Sequence, residues 1–155
     1  WTQTVANALG MARGAMDAYL QLAAQAGSTM SPTLLRDRPP AQSAVGEAEA
    51  IISGARAYLL DAVGGAWRTV RDESQDPSWE IAQARLAITH GMRESVRAVD
   101  ILFHAAGTNA IHRKHPLERF FRDIHVAVQH VAGLPSNIEA GGRVMLGLPP
   151  GGPGW

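Results

Sequence analysis

The sequence predicts an all-α fold, a four-helix bundle, and three observations carry that prediction. Apolar residues recur at three- and four-residue spacing over four segments, and no stretch alternates with period two over a useful length. The periodic runs are also separated by segments rich in Gly, Pro and small polar residues. Amphipathic helices joined by short-to-medium links bury their stripes against one another, in an antiparallel or a crossover bundle.

The first helix spans about Thr4 to Ala26, with Val5, Leu9, Ala12, Met16, Leu20 and Ala23 on one stripe. Gly10 and Gly14, one turn apart, permit close approach of a neighbouring helix. Residues 27–40 hold Gly, Ser, Thr and three prolines and read as a loop. The second run passes through Val45, Ile52, Ala55, Leu59 and Ala62, and Gly64 and Gly65 stop or interrupt it. In the polar link that follows, Asp76 caps and Pro77 takes the first position of a third helix. Its stripe is Ile81, Ile88, Met92, Val99, Phe103 and Ala106, roughly 40 Å of helix, and Gly107 closes it. Pro116 opens a fourth helix with Leu117, Phe120, Phe121, Ile124, Val128 and Val131 on its apolar face, and after Gly133 the chain reads as loop and tail. Trp67 and Trp79 read as packing anchors, and Met11, Met16 and Met92 as core or interface fillers.

The totals exclude several classes. With 155 residues, 46% of them apolar, the chain is expected to be a single helical-bundle domain over residues 1–155 with one core. Its 14 basic and 14 acidic residues cancel and aromatics are only 6%, so nothing supplies the phosphate-neutralising surface that nucleic acid requires. No apolar stretch reaches the ~18 residues of a membrane span. The absence of cysteine removes disulfides and thiolate chemistry and fits a reducing cytoplasm. The first residues lack an initiator Met, do not resemble a signal peptide and read as a helix already under way, so a longer parent protein is expected.

Metal and hydrolase chemistry lack their signatures. Inside a bundle a di-iron site needs Glu-x-x-His pairs, and no glutamate here has a histidine three residues later. The six histidines form no HExxH, and His112 and His115 sit in the basic stretch IHRKH, which repels cations. No metal site is therefore expected. There is no GxSxG elbow to expose a serine nucleophile.

The segment ERFFRDIHVAVQH, residues 118–130, carries the most information. At 100° per residue, Arg119, Asp123, Val126 and His130 fall on one line, away from the Phe120/Phe121/Ile124 stripe. Arg119 and Asp123 at i,i+4 can pair and fix that face. His125 is turned about 140° from His130, so the two need not share a site. Two readings stand: a solvated or subunit-contact ion-pair network, or one wall of a reactive site.

Several longer stretches together resemble the C-terminal domain of the acyl-CoA dehydrogenase superfamily. They are LGMARGAMDAYL, RPPAQSAVGEAEAIISGARAYLLDAV and HAAGTNAIHRKHPLERFFRDIHVAVQH, and they cover nearly the whole chain. Within that superfamily the sequence is most similar to two-component, reduced-flavin-dependent monooxygenases. The resemblance implies a four-helix bundle that follows an N-terminal helical domain and a middle β domain, flavin (FMN or FAD) held between the middle domain and the bundles of two subunits, and a homotetramer. It also implies a small aromatic, steroid-derived or sulfur-containing substrate and a flavin reductase partner.

The same resemblance assigns site residues. Dehydrogenases of the superfamily carry a catalytic Glu in a YEGT-like stretch after an Arg-Asp motif. Here Arg122–Asp123 is followed by Gln129–His130–Val131, without a carboxylate. In the monooxygenase branch a histidine next to the flavin occupies this region, and the match falls on His130. Its implied catalytic role is to hydrogen-bond or protonate the oxygenated flavin, or to orient or deprotonate substrate, work suited to imidazole. The turn AAGTN is similar to the superfamily's Gly-rich flavin turn, which implies that Gly107 and Thr108 contact the cofactor. Arg36 and Arg38 lie where the family often places a phosphate-binding cation. The alternatives are a dehydrogenase-like oxidoreductase whose base lies outside this chain, or a non-catalytic helical oligomerisation module.

Overall fold

The computed structural model describes residues 1–28, 31–72, 76–111 and 115–151. The fold is all-α, as expected, and among the described residues it has five α-helices, not four. Helix α1 (Thr2–Gln25) leads into a two-stranded antiparallel ribbon, β1 (Gly27–Ser28) and β2 (Ser31–Leu34). A 3-10 turn, Leu35–Asp37, connects it to α2 (Pro39–Val70), which starts on prolines whose missing N–H groups are no loss in a first turn. Then come α3 (Ser78–Ala106), a 3-10 turn Gly107–Asn109, α4 (Pro116–Ala127), a 3-10 turn Val131–Gly133 and α5 (Pro135–Met145).

Helix α3 is the axis of the bundle and packs against each of the other four helices. Its predicted stripe holds: Ile88, Met92, Val99 and Ala106 are buried, joined by Leu102. Asp76 stands one residue ahead of the cap position, which Pro77 takes, and its carboxylate still accepts from the Ser78 backbone N at 3.1 Å and hydroxyl at 2.6 Å. Pro77 stands just before the first helical residue, not in it. The core is filled by Val5, Met16, Tyr19, Leu117 and Ile124 with many alanines between them, which lets the helices approach closely.

Five expectations are corrected. First, the segment after Gly133 contains α5, which inserts Asn137, Ala140 and Gly141 rather than large apolar residues. Second, Gly64 and Gly65 do not end α2, which continues to Val70. Third, the loop over residues 27–40 includes the short ribbon, whose strands are too brief to show any alternation. Fourth, Trp67 and Trp79 are 65% and 47% exposed, so neither anchors the core of this chain, and Leu20 points outward beside the buried Tyr19. Fifth, Gly10 faces open space, whereas Gly14 meets the Phe120 ring of α4, so only one of the pair serves close packing. Of the described helices, none is long and apolar enough to cross a membrane.

Candidate functional site

Helix α4 is built with two faces. The Nδ1 of His115 accepts from the Leu117 backbone N at 3.2 Å and caps the helix, with Pro116 in its first turn. Leu117 and Ile124, two turns apart, are fully buried, and Phe121 stacks on Phe103 of α3 with ring centroids 4.1 Å apart. On the outer side Arg119 pairs with Asp123 at 3.3 Å, and Arg122 lies 3.8 Å from Glu118. The predicted i,i+4 pair is present, on a solvent-exposed surface.

His130 does not lie on that helical line. Helix α4 ends at Ala127, and the backbone N–H groups of Gln129 and His130 bond three residues back, to Val126 and Ala127. The chain then turns under itself: a Cβ at Gly133 would collide with the Val128 carbonyl, and Ala132 and Gly133 are both buried, although a continued helix would have turned Gly133 outward. Val131, expected on the apolar stripe, is exposed. His130 is therefore the capping residue of the turn Val131–Gly133, with Nδ1 accepting from the Ala132 backbone N at 3.1 Å. An imidazole that accepts at Nδ1 carries its proton on Nε2, so the exposed edge of this ring is an N–H donor.

The second predicted element, Gly107 and Thr108, forms the tight turn at the end of α3. Gly107 has φ +57° and ψ −140°, a conformation that disfavours side chains, and Asn109 Nδ2 donates to the Ala106 carbonyl at 3.2 Å. A depression of about 190 Å³ opens here, lined by Leu35, Arg38, Ala106, Gly107, Thr108 and Asn109. Arg38, which also donates to the Thr33 carbonyl at 3.0 Å, thus stands beside the turn, while Arg36 lines a different cavity between α1 and α2. The donors of this depression suit an anionic or carbonyl-bearing edge, and its size admits only part of a flavin.

The structure does not bring His130 and Gly107 together. The turn that holds His130 docks on Thr89 of α3, eighteen residues before Gly107, which is about 27 Å along the helix axis.

Two further polar constellations escaped the sequence reading. His125 donates from Nδ1 to the Phe121 carbonyl at 2.7 Å and turns Nε2 toward Asp100 Oδ1 of α3 at 3.4 Å, its ring tilted against Phe121. Arg13 of α1 grips Glu49 of α2 through two bonds of 2.5 and 3.0 Å, and Ser53 donates to Glu49 at 2.6 Å. The Arg13 guanidinium, helped by Ser53, holds the Glu49 carboxyl at about 2, well below its ordinary value. The i,i+4 spacing signals Glu49–Ser53, but nothing local signals pairs 25 or 36 residues apart. His112 lies outside the described residues. His104, at the end of α3, is exposed.

Comparison with known proteins supplies the frame for these features. The family described as "Acyl-CoA dehydrogenase, C-terminal domain" matches residues 3–133. The chain is 26% identical over 147 residues to an indole-3-acetate monooxygenase of Acinetobacter baumannii, covering 95% of this chain and 38% of that protein. It is 30% identical over 142 residues to the indole-3-acetate monooxygenase of Pseudomonas putida, covering 92% and 36%. In three dimensions it superposes on the crystal structure of the HsaA monooxygenase from Mycobacterium tuberculosis with a TM-score of 0.83 at 28% identity, covering 97% of this chain and 38% of that one. The Streptomyces protein XiaF, solved with FADH2 and glycerol, shares the fold at a TM-score of 0.89 and 22% identity. The chain spans less than two fifths of the length of each of these proteins.

Proposed function

We propose that this chain, which belongs to the acyl-CoA dehydrogenase C-terminal domain family, is the flavin-facing and oligomerisation domain of a longer flavin-dependent monooxygenase. All 155 residues form one domain of that protein. Its substrate is an aromatic, steroid-derived or heteroatom-containing small molecule, reduced flavin comes from a partner reductase, and the enzyme works in the cytoplasm as a homotetramer. The observation that carries this reading is the residue set at 129–131. Where a dehydrogenase of this superfamily needs a carboxylate base, residues 129–131 offer an exposed imidazole, His130, whose Nδ1 is taken by a backbone N–H and whose proton is on Nε2. The relatives named monooxygenases support the same choice.

Reduced flavin, when bound, supplies the activation of O2 that hydroxylation requires. The chain's own residues do the rest. His130 presents a hydrogen-bond donor at Nε2 to an oxygen in the reaction space. The Gly107–Thr108 backbone and the Arg38 guanidinium receive a polar edge of the cofactor, Arg38 matching its phosphate. Because His130 and Gly107 are about 27 Å apart along α3, the two edges serve two different flavins, which requires bundles of at least two subunits around each. The Arg119–Asp123 pair holds the outer face of α4 toward such a boundary.

The test uses the intact parent enzyme with its reductase. His130→Ala should lower hydroxylation by ~10²-fold or more, the scale of one lost preorganised hydrogen-bond donor, while flavin binding persists. Anaerobic addition of acyl-CoA thioesters should leave oxidised flavin unbleached. Full hydroxylation by His130→Ala, or rapid bleaching by a thioester, overturns the proposal, the second result in favour of a dehydrogenase.

A further inference from the structure

Three polar residues are buried among the described residues: Thr89, Ser95 and Asn137. Burying a hydroxyl or an amide is costly unless its hydrogen bonds are met. Ser95 meets its own within α3, donating to the Gly91 carbonyl four residues back at 2.7 Å. The other two reach across the fold to the same three-residue turn. Thr89 Oγ1, from α3, donates to the Ala132 carbonyl at 2.8 Å, and Asn137 Nδ2, from α5, donates to the Val131 carbonyl at 2.8 Å.

The two bonds grip consecutive peptide planes, and each plane is gripped again on its opposite edge by His130. In the first plane Asn137 holds the Val131 carbonyl while the Ala132 N–H donates to His130 Nδ1 at 3.1 Å. In the second, Thr89 holds the Ala132 carbonyl while the Gly133 N–H donates to the His130 carbonyl at 2.8 Å. One plane thus fixes the ring and the other fixes the backbone that carries it. A donor bonded to an amide carbonyl also polarises the peptide and strengthens its N–H, so Asn137 reinforces the bond that Nδ1 accepts.

We propose that Thr89 and Asn137 are positioning residues that hold His130 in its neutral Nε2–H tautomer, so that it enters the reaction as a hydrogen-bond donor and not as a base. This deepens the reading of His130 as the site imidazole and rests on it. In this tautomer Nε2 already bears its proton and the Nδ1 lone pair is committed to Ala132, so neither nitrogen is free to take a proton from substrate while the turn stays closed. Thr89 and Asn137 touch no reacting atom and act only through the turn.

His115 provides an internal control, because its Nδ1 caps α4 through Leu117 in the same way without either buried donor. The experiment is nitrogen-15 NMR of the histidine rings in the ring-labelled 155-residue chain and in the intact parent enzyme. Wild-type His130 should show Nδ1 unprotonated and Nε2 protonated. Thr89→Val, which keeps the shape and removes the donor, and Asn137→Leu should each lower the ratio of Nε2–H to Nδ1–H tautomer at His130 about five-fold, the scale of one net hydrogen bond. Thr89→Ser should restore it, and His115 should not move. A His130 that populates both tautomers in the wild type overturns the proposal without any variant, as does an unchanged ratio in both variants. If the tautomer is clamped yet His130→Ala hydroxylates normally, the assignment of His130 to the site falls while the clamp stands.

Discussion

Replacing Ile124 by Ala tests whether α4 has the two faces described. Ile124 is fully buried, and with Leu117 it makes up the fully buried contact of a twelve-residue helix. The substitution removes three carbons, about 2.4 kcal/mol at ~0.8 kcal/mol each. The cavity left between α4, α1 and α3 adds to this at roughly 24 cal/mol per Å³ that the neighbours fail to fill, for a total of about 3–4 kcal/mol. Val126, two residues later on the outer face, is 68% exposed, so Val126→Ala should change stability by no more than ~0.5 kcal/mol. Urea unfolding followed by circular dichroism measures both, read from midpoints at constant m. A cost below about 1 kcal/mol for Ile124→Ala, or comparable costs for the two variants, would refute the assignment of faces.

Three more outcomes are expected. Gly14→Ala places a methyl 2.5 Å from Phe120 Cζ, so the ring or the α1–α4 spacing must give, costing ~1–3 kcal/mol by thermal unfolding; Phe120→Leu in the same chain should recover part of it. Gly107→Ala meets no atom within 4 Å but forces a side chain into φ +57°, so it should cost ~1–3 kcal/mol through the backbone alone, with the crystal structure of the variant showing an unfilled neighbourhood. The Glu49 carboxyl sits at about 2 when folded and at its ordinary 4.5 when unfolded. A depressed value means stability that is fully present above pH 4.5 and lost as pH falls through about 2, and Glu49→Gln should flatten that slope. Both partners are nearly half exposed, so the difference measured by denaturation at pH 6 and pH 2 should be ~1 kcal/mol or less.

What was legible in the sequence follows from what periodicity encodes. The stripes of α1, α2 and α3 run over many turns, so those helices appear where their stripes do, with α2 running on past Gly64 and Gly65 to Val70. Helix α5 was missed because its inward face is Asn137, Ala140 and Gly141: Leu86 lies against Gly141, where a Cβ would be 2.6 Å from Leu86 Cγ. A helix that receives a knob instead of supplying one leaves no apolar stripe to count. The end of α4 was misplaced for a related reason. Val128 and Val131 continue the apolar count, but the turn is decided by the tight approach of Gly133 to the Val128 carbonyl, by the bond from Asn137 and by the bond from Thr89, 43 residues away, and backbone contacts of this kind leave no mark in an apolar count. The residues resembling a flavin site could be named from motifs; that they stand at separate places along α3 could not.

The early end of α4 changes how His130 is supported. Had His130 continued α4, its ring would inherit every movement of that helix, including any made by the exposed Arg119–Asp123 pair. Instead, α4 stops at Ala127, and the three residues after His130 are bound to α3 through Thr89 and to α5 through Asn137. Because α3 also packs against every other helix, the imidazole is referenced to the most constrained element of the bundle rather than to its most exposed one. The exposed face of α4 can then adjust its ion pairs without rotating the Nε2–H. The small-residue face of α5 serves the same end: Gly141 receives Leu86 of α3, which seats α5 on that helix, and Asn137 in its first turn donates to the Val131 carbonyl.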